Sequence, residues 1–479
     1  MSSAKKTNHL KPNIMKKTIF NLVVAFLLLL FSAQAQTWSE LGGLNGLSPN
    51  SYIRSICSDP SGNIYAAGYF TNGFNAITGD RAVAKWNGTV WSLLNGLSSP
   101  AYQNGIFTDL SCVSSDASGN IYVGGNFTNS SGNYYVAKWN GSAWSELGGL
   151  NSFNPNSSVK CIICDPKTGY IYAGGYFTNG ASPTTGKFYI AKYDGASWSE
   201  LGGTNGLSAN NNINCLCNDA AGNIYAAGYF TNTNGKFYVA KWNGTAWEEL
   251  GGLNGLAANN EILSICSDPD GNIYAAGKFS NGTYSSDGYE YVAKWNGTNW
   301  NEVGGLNALA ANDFVESIIS DSKGNIYASG SFFKGGHGIV AIWNDTTWSE
   351  LGAPGSLAAN SSTYSLCKDV AGNIFAAGAF TNSSGLHYVA KYSSGVYGIN
   401  LVENNNSPKI FPNPAKDQLT IEFPDKSNPV SLVRIYNSVG MIVSQTNNFS
   451  ERETIDISNL PLGVYTVTLD AYRQKFIKR

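Results

Sequence analysis

Gly62-Asn63-Ile64-Tyr65-Ala66-Ala67-Gly68 decides the fold, because the chain repeats it. The same seven residues start again at Gly222 and Gly271, and close variants start at Gly119, Gly169, Gly324 and Gly372. Successive copies lie about 50 residues apart. Some 20 residues after each comes a second string, Trp-Asn-Gly-x-x-Trp, at Trp86–Trp91, Trp139–Trp144, Trp242–Trp247 and Trp295–Trp300. It survives as Tyr193–Trp198 and Trp343–Trp348 and decays to Tyr392–Tyr397. Self-similarity at a fixed period is the signature of a repeat architecture.

Each unit reads as four short strands. Strand A alternates apolar and polar residues, as in Ile53-Arg54-Ser55-Ile56-Cys57. The turn Asp59-Pro60-Ser61-Gly62-Asn63 follows, with Pro to preset φ and Gly for the φ > 0 position. Strand B is Ile64 to Phe70, and its small residues Ala66, Ala67 and Gly68 let a neighbouring backbone approach closely. Strand C, Val83 to Trp86, turns at Asn87-Gly88 into strand D, which begins at Trp91. Seven such units predict an all-β fold, a seven-bladed β-propeller over residues 36–400 with one sheet per blade. The aromatic side chains are expected between blades, where burial at roughly 1.5–3 kcal/mol per large side chain dominates stability. An extra Trp-Ser-Glu-Leu-Gly-Gly copy stands before the first unit, at Trp38 to Gly43, and the last unit has the poorest strand D. These two ends are expected to close the ring, with residues 37–41 pairing with 388–392.

Composition agrees. The 479 residues include 54 Gly and 13% aromatics but only 13% charged residues, the profile of a turn-rich β protein. Residues 1–35 read as a signal peptide starting at Met15: Lys16-Lys17, the apolar run Leu22 to Phe31, then Ala33-Gln34-Ala35, with cleavage between Ala35 and Gln36. The run is short for a bilayer span, which needs about 20 residues, and no other membrane span is expected in the mature chain. Those 35 residues hold five of the 30 basic residues and none of the 32 acidic ones, so the mature body carries 25 − 32 = −7. An acidic body argues against nucleic acid as partner.

Five cysteines, Cys57, Cys164, Cys217, Cys266 and Cys367, stand five residues before their blade's turn Gly, and Cys112 and Cys215 stand seven before. Equivalent positions lie around a ring, mostly too far apart for a disulfide, which needs Cα atoms within about 7 Å. Buried free thiols are expected. Cys161-x-x-Cys164 has no second pair, so no zinc site and no cofactor are expected. The turn aspartates (Asp59, Asp116, Asp219, Asp268, Asp321, Asp369) read as turn caps, not calcium ligands. The strand D glutamates (Glu40, Glu146, Glu200, Glu249, Glu302, Glu350) read as a solvated edge that discourages sheet association. Asp313, Glu316 and Glu261 are weak hints of paired carboxylates, and His337 and His387 lack a nucleophile motif nearby.

The B–C and D–A connections are expected to vary between blades and to emerge on one face. Longer stretches include Phe74 to Asp80, Pro100 to Phe107 and Tyr284 to Tyr289. One column there is regular: Asn50, Asn210, Asn259, Asn312 and Asn360 each lie twelve residues before the turn Gly. They are the candidate ligand-binding residues, expected to ring the channel mouth, since an amide offers both donor and acceptor. Capping of the local backbone is the alternative for the same residues.

After Tyr397 the repeat stops. Residues 401–408 are a polar linker, and 409–479 show strand patterns at Gln418 to Phe423, Leu432 to Tyr436, Ile455 to Ile457 and Val464 to Leu469, fitting a small β-sandwich. Phe411-Pro412-Asn413-Pro414, Leu419-Thr-Ile-Glu-Phe423, Ile435-Tyr-Asn-Ser-Val-Gly440, Ile455 to Tyr465 with its Leu-Gly463-Val-Tyr465, and the basic end Lys475-Phe-Ile-Lys478-Arg479 resemble the type A C-terminal sorting domain of the type IX secretion system. The resemblance implies passage through the periplasm, recognition by the type IX secretion machinery, and release or anchoring outside the cell. The propeller units are only broadly similar to kelch-like Gly/aromatic repeats, which fixes a fold and no activity. The expected function is a secreted or surface-displayed binding or adhesion module for an extracellular glycan or protein. The alternatives are a polysaccharide lyase or hydrolase with its site at the mouth, and a structural surface-layer component.

Overall fold

The computed structural model describes residues 37–73, 78–97, 102–103, 106–283, 286–393, 409–422, 432–437, 442–447, 452–469 and 472–479. The signal-peptide reading, the Ala35–Gln36 cleavage site and the 401–408 linker lie outside these residues. The expected loop stretches Phe74–Asp80, Pro100–Phe107 and Tyr284–Tyr289 fall partly outside them. The chain separates into two compact units, the first ending at Ser394 and the second at Arg479.

The first unit is seven four-stranded antiparallel sheets. Blade one runs A Ile53–Ser58, B Ile64–Gly68, C Val83–Trp86 and D Trp91–Leu94. Each sheet keeps the order A-B-C-D, and each strand A touches the strand A of both adjoining blades, which makes a closed inner ring. Blade seven takes its strand D from the other end of the unit. Trp38–Glu40 pairs with His387–Tyr392 in the register Trp38↔Tyr392, Ser39↔Lys391, Glu40↔Ala390, as the orphan repeat copy predicts.

The core lies between blades. Ile53, Ile56, Ile64, Ala66 and Phe70 of blade one pack with Cys367, Phe375, Ala377 and Val389 of blade seven. Tyr65, Ala67 and Val83 face Leu110, Val113, Ile121 and Phe127 of blade two. Further out, tryptophans join the blades by hydrogen bonds. Trp91 donates from Nε1 to the Leu41 carbonyl at 2.8 Å, Trp247 to Leu201 at 3.0 Å and Trp300 to Leu250 at 2.9 Å. Trp144, Trp198, Trp348 and Trp38 donate in the same way to Leu94, Leu147, Val303 and Leu351. The seven bonds go once round the ring.

Local hydrogen bonds fix the tight turns. Asp59 Oδ1 accepts from the amides of Ser61 and Asn63, and Oδ2 accepts from Asn63 Nδ2 at 2.6 Å and Tyr65 Oη at 3.0 Å. The network recurs at Asp116, Asp268 and Asp321. Burial alone would raise the carboxyls of Asp116, Asp219 and Asp321, but the bonds from Asn and Tyr outweigh it and hold them below the ordinary range. These aspartates cap turns.

The strand D glutamates do something other than guard an edge. Glu40 Oε1 accepts from the Asn45 amide at 2.7 Å, Glu249 from Asn254 at 2.8 Å, Glu302 from Asn307 at 2.7 Å and Glu350 from Gly355 at 2.7 Å. Glu40, Glu146, Glu200, Glu249 and Glu302 also accept from a B–C loop amide: Asn382, Asn129, Asn179, Asn232 and Asn281. The pinned residue has a left-handed backbone, with φ of 62° at Asn45, 61° at Asn254 and 72° at Gly355, which explains why it is Asn or Gly. The D–A connections that hold this motif are therefore regular, contrary to the expectation of variability.

All eight cysteines are free, with Cys112, Cys161, Cys215 and Cys367 buried. One placement is corrected. Blade three has a longer turn, closed by Gly169 N to Asp165 O, so Cys164 pairs with Ile171 and occupies the position of Ser58, not that of Cys57. Burial pushes the Cys112 and Cys164 thiols up to about 12 and the other buried thiols higher still, so little reactive thiolate forms at neutral pH. Thiol counting under denaturation without reductant should find at least six free thiols, and far slower labelling in the native state. Three or more disulfides by mass spectrometry would overturn the ring-position argument.

The second unit is a sandwich of two antiparallel sheets. Lys409–Phe411, Gln418–Glu422 and Arg452–Asp456 form one, and Leu432–Tyr436, Ile442–Asn447, Gly463–Leu469 and Tyr472–Lys478 form the other. They share one core of Ile410, Leu419, Ile421, Val433, Ile435, Ile455, Tyr465, Val467 and Phe476.

Candidate functional site

Every strand A carries a β-bulge at the same place. In blade one Ile53 pairs with Gly68 and Ser55 with Ala67, which leaves Arg54 as the extra residue. The other six blades shift register identically, leaving Ser111, Lys160, Asn214, Leu263, Glu316 and Tyr364. The glycine that ends the repeat makes this possible. A Cβ on Gly68 would lie 2.5 Å from the Tyr52 carbonyl oxygen and 2.7 Å from the Arg54 amide, so no larger residue fits against the bulge.

The neighbours of the bulged residue have structural work. The one before it, such as Ile53, is in the core. The one after it bonds the next blade: Ser55 Oγ accepts from the Val113 amide, Ser264 from Ile318, Ser317 from Leu366 and Ser365 from Ile56, each at 3.1 Å. The bulged side chain is left to face the axis, together with the residue two before it and the residue after the repeat glycine. Those two are held together in all seven blades, from Tyr69 N to Tyr52 O at 3.1 Å through Ala379 N to Ser362 O at 2.9 Å.

Contacts join several of these positions across blades. The Arg54 guanidinium lies 4.7 Å over the Tyr364 ring, and Tyr52 contacts Tyr69 at 4.8 Å and Tyr364 at 6.1 Å between centroids. Lys278 Nζ pairs with Glu261 Oε1 at 2.8 Å and sits 4.8 Å over the Phe314 ring. Asn214 Nδ2 donates to Glu261 Oε2 at 3.0 Å. Ser331 and Ser362 hydroxyls meet at 2.9 Å. Arg81, 2% exposed, donates to the carbonyls of Thr108 and Tyr69 and so builds the wall behind Tyr69. Burial raises the Glu316 carboxyl, and Arg54, Lys278 and Lys160 from three other blades only partly offset it. Burial lowers the Lys160 ammonium and Arg54 lowers it further, against the pull of Asp109. Charges on blades one, two, three, five and six thus act on one another in one space.

The asparagine column lies elsewhere. Asn50 accepts from the Thr71 amide at 3.0 Å and donates to Thr71 Oγ1 at 3.0 Å and Gly73 O at 3.1 Å. Asn210, Asn259, Asn312 and Asn360 accept in the same way from Thr231, Ser280, Phe333 and Thr381. Each amide is occupied in clasping the start of strand A to the B–C loop. Asn50 and Asn259 line recesses shared with Trp91 and Trp300 of the outermost strands, away from the axial cluster. Of the carboxylates singled out from sequence, Glu261 and Glu316 are in the cluster, while Asp313 caps the Phe314 amide at 2.7 Å. His387 Nδ1 meets the Phe380 carbonyl at 3.2 Å and its ring meets Tyr52 edge-on at 6.2 Å. Sequence reasoning missed Arg54, Lys160, Lys278 and Tyr364. For Arg54, Lys160 and Tyr364 the available signal was the one strand A column that never repeats.

In the second unit the sorting-motif residues are built into the sandwich. Phe411 ends the first strand, and both Phe411-Pro412 and Asn413-Pro414 are cis. Tyr465 stacks on Phe476 with centroids 5.5 Å apart and donates to the Pro461 carbonyl at 2.8 Å. The basic end is a strand, paired from Gly463↔Lys478 to Leu469↔Tyr472. Lys478 is 6% exposed with Nζ 3.8 Å from Asp417, and the Arg479 amide bonds the Ala415 carbonyl at 2.8 Å. Residues 409–479 match the secretion system C-terminal sorting domain. The sorting domain implies export by the type IX machinery to the cell surface or the extracellular space.

No curated protein matches the chain. Among solved structures it is similar to PorZ, a surface component of the type-IX secretion system of Porphyromonas gingivalis, at 16% identity over 90% of this chain and 59% of that one, with a TM-score of 0.46. It is similar to the extracellular domain of a hybrid two component system from B. thetaiotaomicron at 12% identity over 94% and 59%, TM-score 0.49. The WD40 β-propeller domain of Doa1 matches at 14% over 75% and 97%, TM-score 0.46. The chain thus spans 59% of the length of the first two. Likeness at this level carries no activity across.

Proposed function

We propose that the propeller is a binding module displayed outside the cell, with its ligand site at the axial mouth and a glycan or protein as ligand. One observation carries this reading: seven otherwise repeating blades place seven unlike residues at one bulge, and of these only Asn214 bonds the backbone of the adjoining blade. Tyrosines, amides and charged groups from many blades on one space provide stacking faces and hydrogen bonds. The asparagine column serves this reading as the frame that holds the loops around the mouth.

A second reading, a polysaccharide lyase or hydrolase, draws on Glu316. A carboxyl pushed up by burial beside Arg54, in a cluster with Tyr364, has the makings of a proton donor. One experiment separates the two. The purified mature chain is screened on a glycan array while reducing-sugar release is followed on the same polysaccharides. Binding without turnover, weakened tenfold or more by Tyr364→Ala and Tyr176→Ala, is the expected result. Turnover that disappears in Glu316→Gln would replace the binder with the enzyme.

A further inference from the structure

We propose that the mouth selects an acidic polysaccharide, its carboxylate or sulfate groups held by Arg54 and Lys160 and its sugar rings laid on the surrounding tyrosines. This rests on the binding reading above and names the ligand's chemistry.

The cations at the mouth are not equivalent. Lys278 is already paired with Glu261, and the Arg81 guanidinium is buried against backbone carbonyls. Among the described residues Arg54 and Lys160 meet no carboxylate within ion-pair distance. The carboxylates that could neutralise them are otherwise engaged. Asp109 accepts from Ser111 Oγ at 2.7 Å and from the Asn126 amide, and Glu261 accepts from both Lys278 and Asn214. Glu316 accepts from Ser331 Oγ at 3.5 Å and meets neither cation within ion-pair distance. Arg54 and Lys160 belong to blades one and three. They are two partly desolvated cations that an anionic ligand would satisfy, and desolvated charge without a partner is costly.

The ligand must also suit what surrounds these cations. Tyr176 and Tyr229, on blades three and four, are 43% and 44% exposed, although both follow the glycine that ends strand B and bond back to the start of strand A. Flat rings of this kind pack on pyranose faces. A peptide would look for an open strand edge, as in β-augmentation. The inner strands do not offer one throughout, because amides such as Ile56, Val113, Ile318 and Leu366 already donate to serines of the adjoining blade. The mature body carries −7, so long-range attraction does not gather polyanions, and recognition must be local.

The test is calorimetric titration of the purified mature chain with four probes of matched length: oligogalacturonate, heparin-derived oligosaccharide, neutral cello-oligosaccharide and poly-glutamate. An acidic oligosaccharide should bind at least tenfold more tightly than the neutral one. Arg54→Gln and Lys160→Gln should each cost about tenfold, with unfolding midpoints unchanged, and the galacturonate and heparin arms tell carboxylate from sulfate. Tyr176→Ala should weaken acidic and neutral probes alike. Equal binding of the neutral probe, or indifference to both glutamine variants, overturns the acidic selectivity and leaves the binding reading standing. Poly-glutamate binding as tightly as the oligosaccharides overturns the glycan assignment. Binding of no probe overturns this inference, and if the array is also blank the binding reading falls with it.

Discussion

A chain shortened to end at residue 408 will accumulate folded in the periplasm and be missing from the medium and the cell surface. The propeller closes on itself through Trp38–Glu40 and His387–Tyr392, and each of its cores is made from blade residues alone, so removal of the second unit takes no strand from the ring. The sorting domain is a sandwich with its own core, from Ile410 to Phe476, and it carries the match to the secretion-system family. The expected effect is near-complete loss of extracellular protein, read by immunoblot of fractionated cells, with native tryptophan fluorescence in the retained protein. Wild-type amounts of the shortened chain outside the cell would remove the sorting role. A finer variant, Phe476→Ala, deletes a fully buried ring from that core, and a change of this kind costs about 3–5 kcal/mol. It should unfold the sandwich and give the same export defect.

The second large effect is at the ring closure. Trp38→Ala with Leu41→Ala should lower the propeller's urea midpoint more than any equivalent pair within one blade. Trp38 packs tilted against Tyr392 with centroids 5.4 Å apart and donates to the Leu351 carbonyl at 2.9 Å. Leu41 is 6% exposed, bonds the Val389 carbonyl through its amide at 2.8 Å and accepts from Trp91. A buried Leu→Ala change costs about 2–5 kcal/mol, and the half-buried Trp38 adds less than its full transfer value. Elsewhere strand D is tethered by chain on both sides. Here strand D reaches its own blade only by pairing, so the loss of these contacts weakens the closure that the shared core of blades one and seven otherwise supports. An unchanged midpoint, beside a clear drop for Trp247→Ala with Leu250→Ala, would show that closure contributes nothing.

Repetition made the scaffold legible. Seven copies of one turn and one hairpin fix strand order, and the surplus Trp38 copy points to the place of closure. The same repetition hid the mouth. Reading strand A as simple alternation puts Arg54 on an outward face with its polar neighbours, because a bulge residue is invisible to a period of two. The glycine after the alanines was legible as a place of close approach, but the partner, strand A itself, was not. The strand D glutamates were misread for a related reason. Their acceptors' purpose lies five residues on, at left-handed residues such as Asn45, and only the loop conformation shows it. Cys164 was misplaced by the single extra residue in its turn. The asparagines were regular because the clasp they form is regular, while the proposed site lies where the repeat is broken.

The bulge also makes the molecule easy to rewrite. Because the glycine absorbs the extra residue and its neighbours keep the core and the inter-blade bond, positions 54, 111, 160, 263, 316 and 364 are six sites at which side chains can be exchanged with little loss of stability, whereas Asn214 is buried and bonds the Ile262 carbonyl at 3.2 Å. A lineage can therefore change the lining of the mouth one blade at a time, without re-solving the folding problem. An engineer can do the same with a library randomised at those six codons.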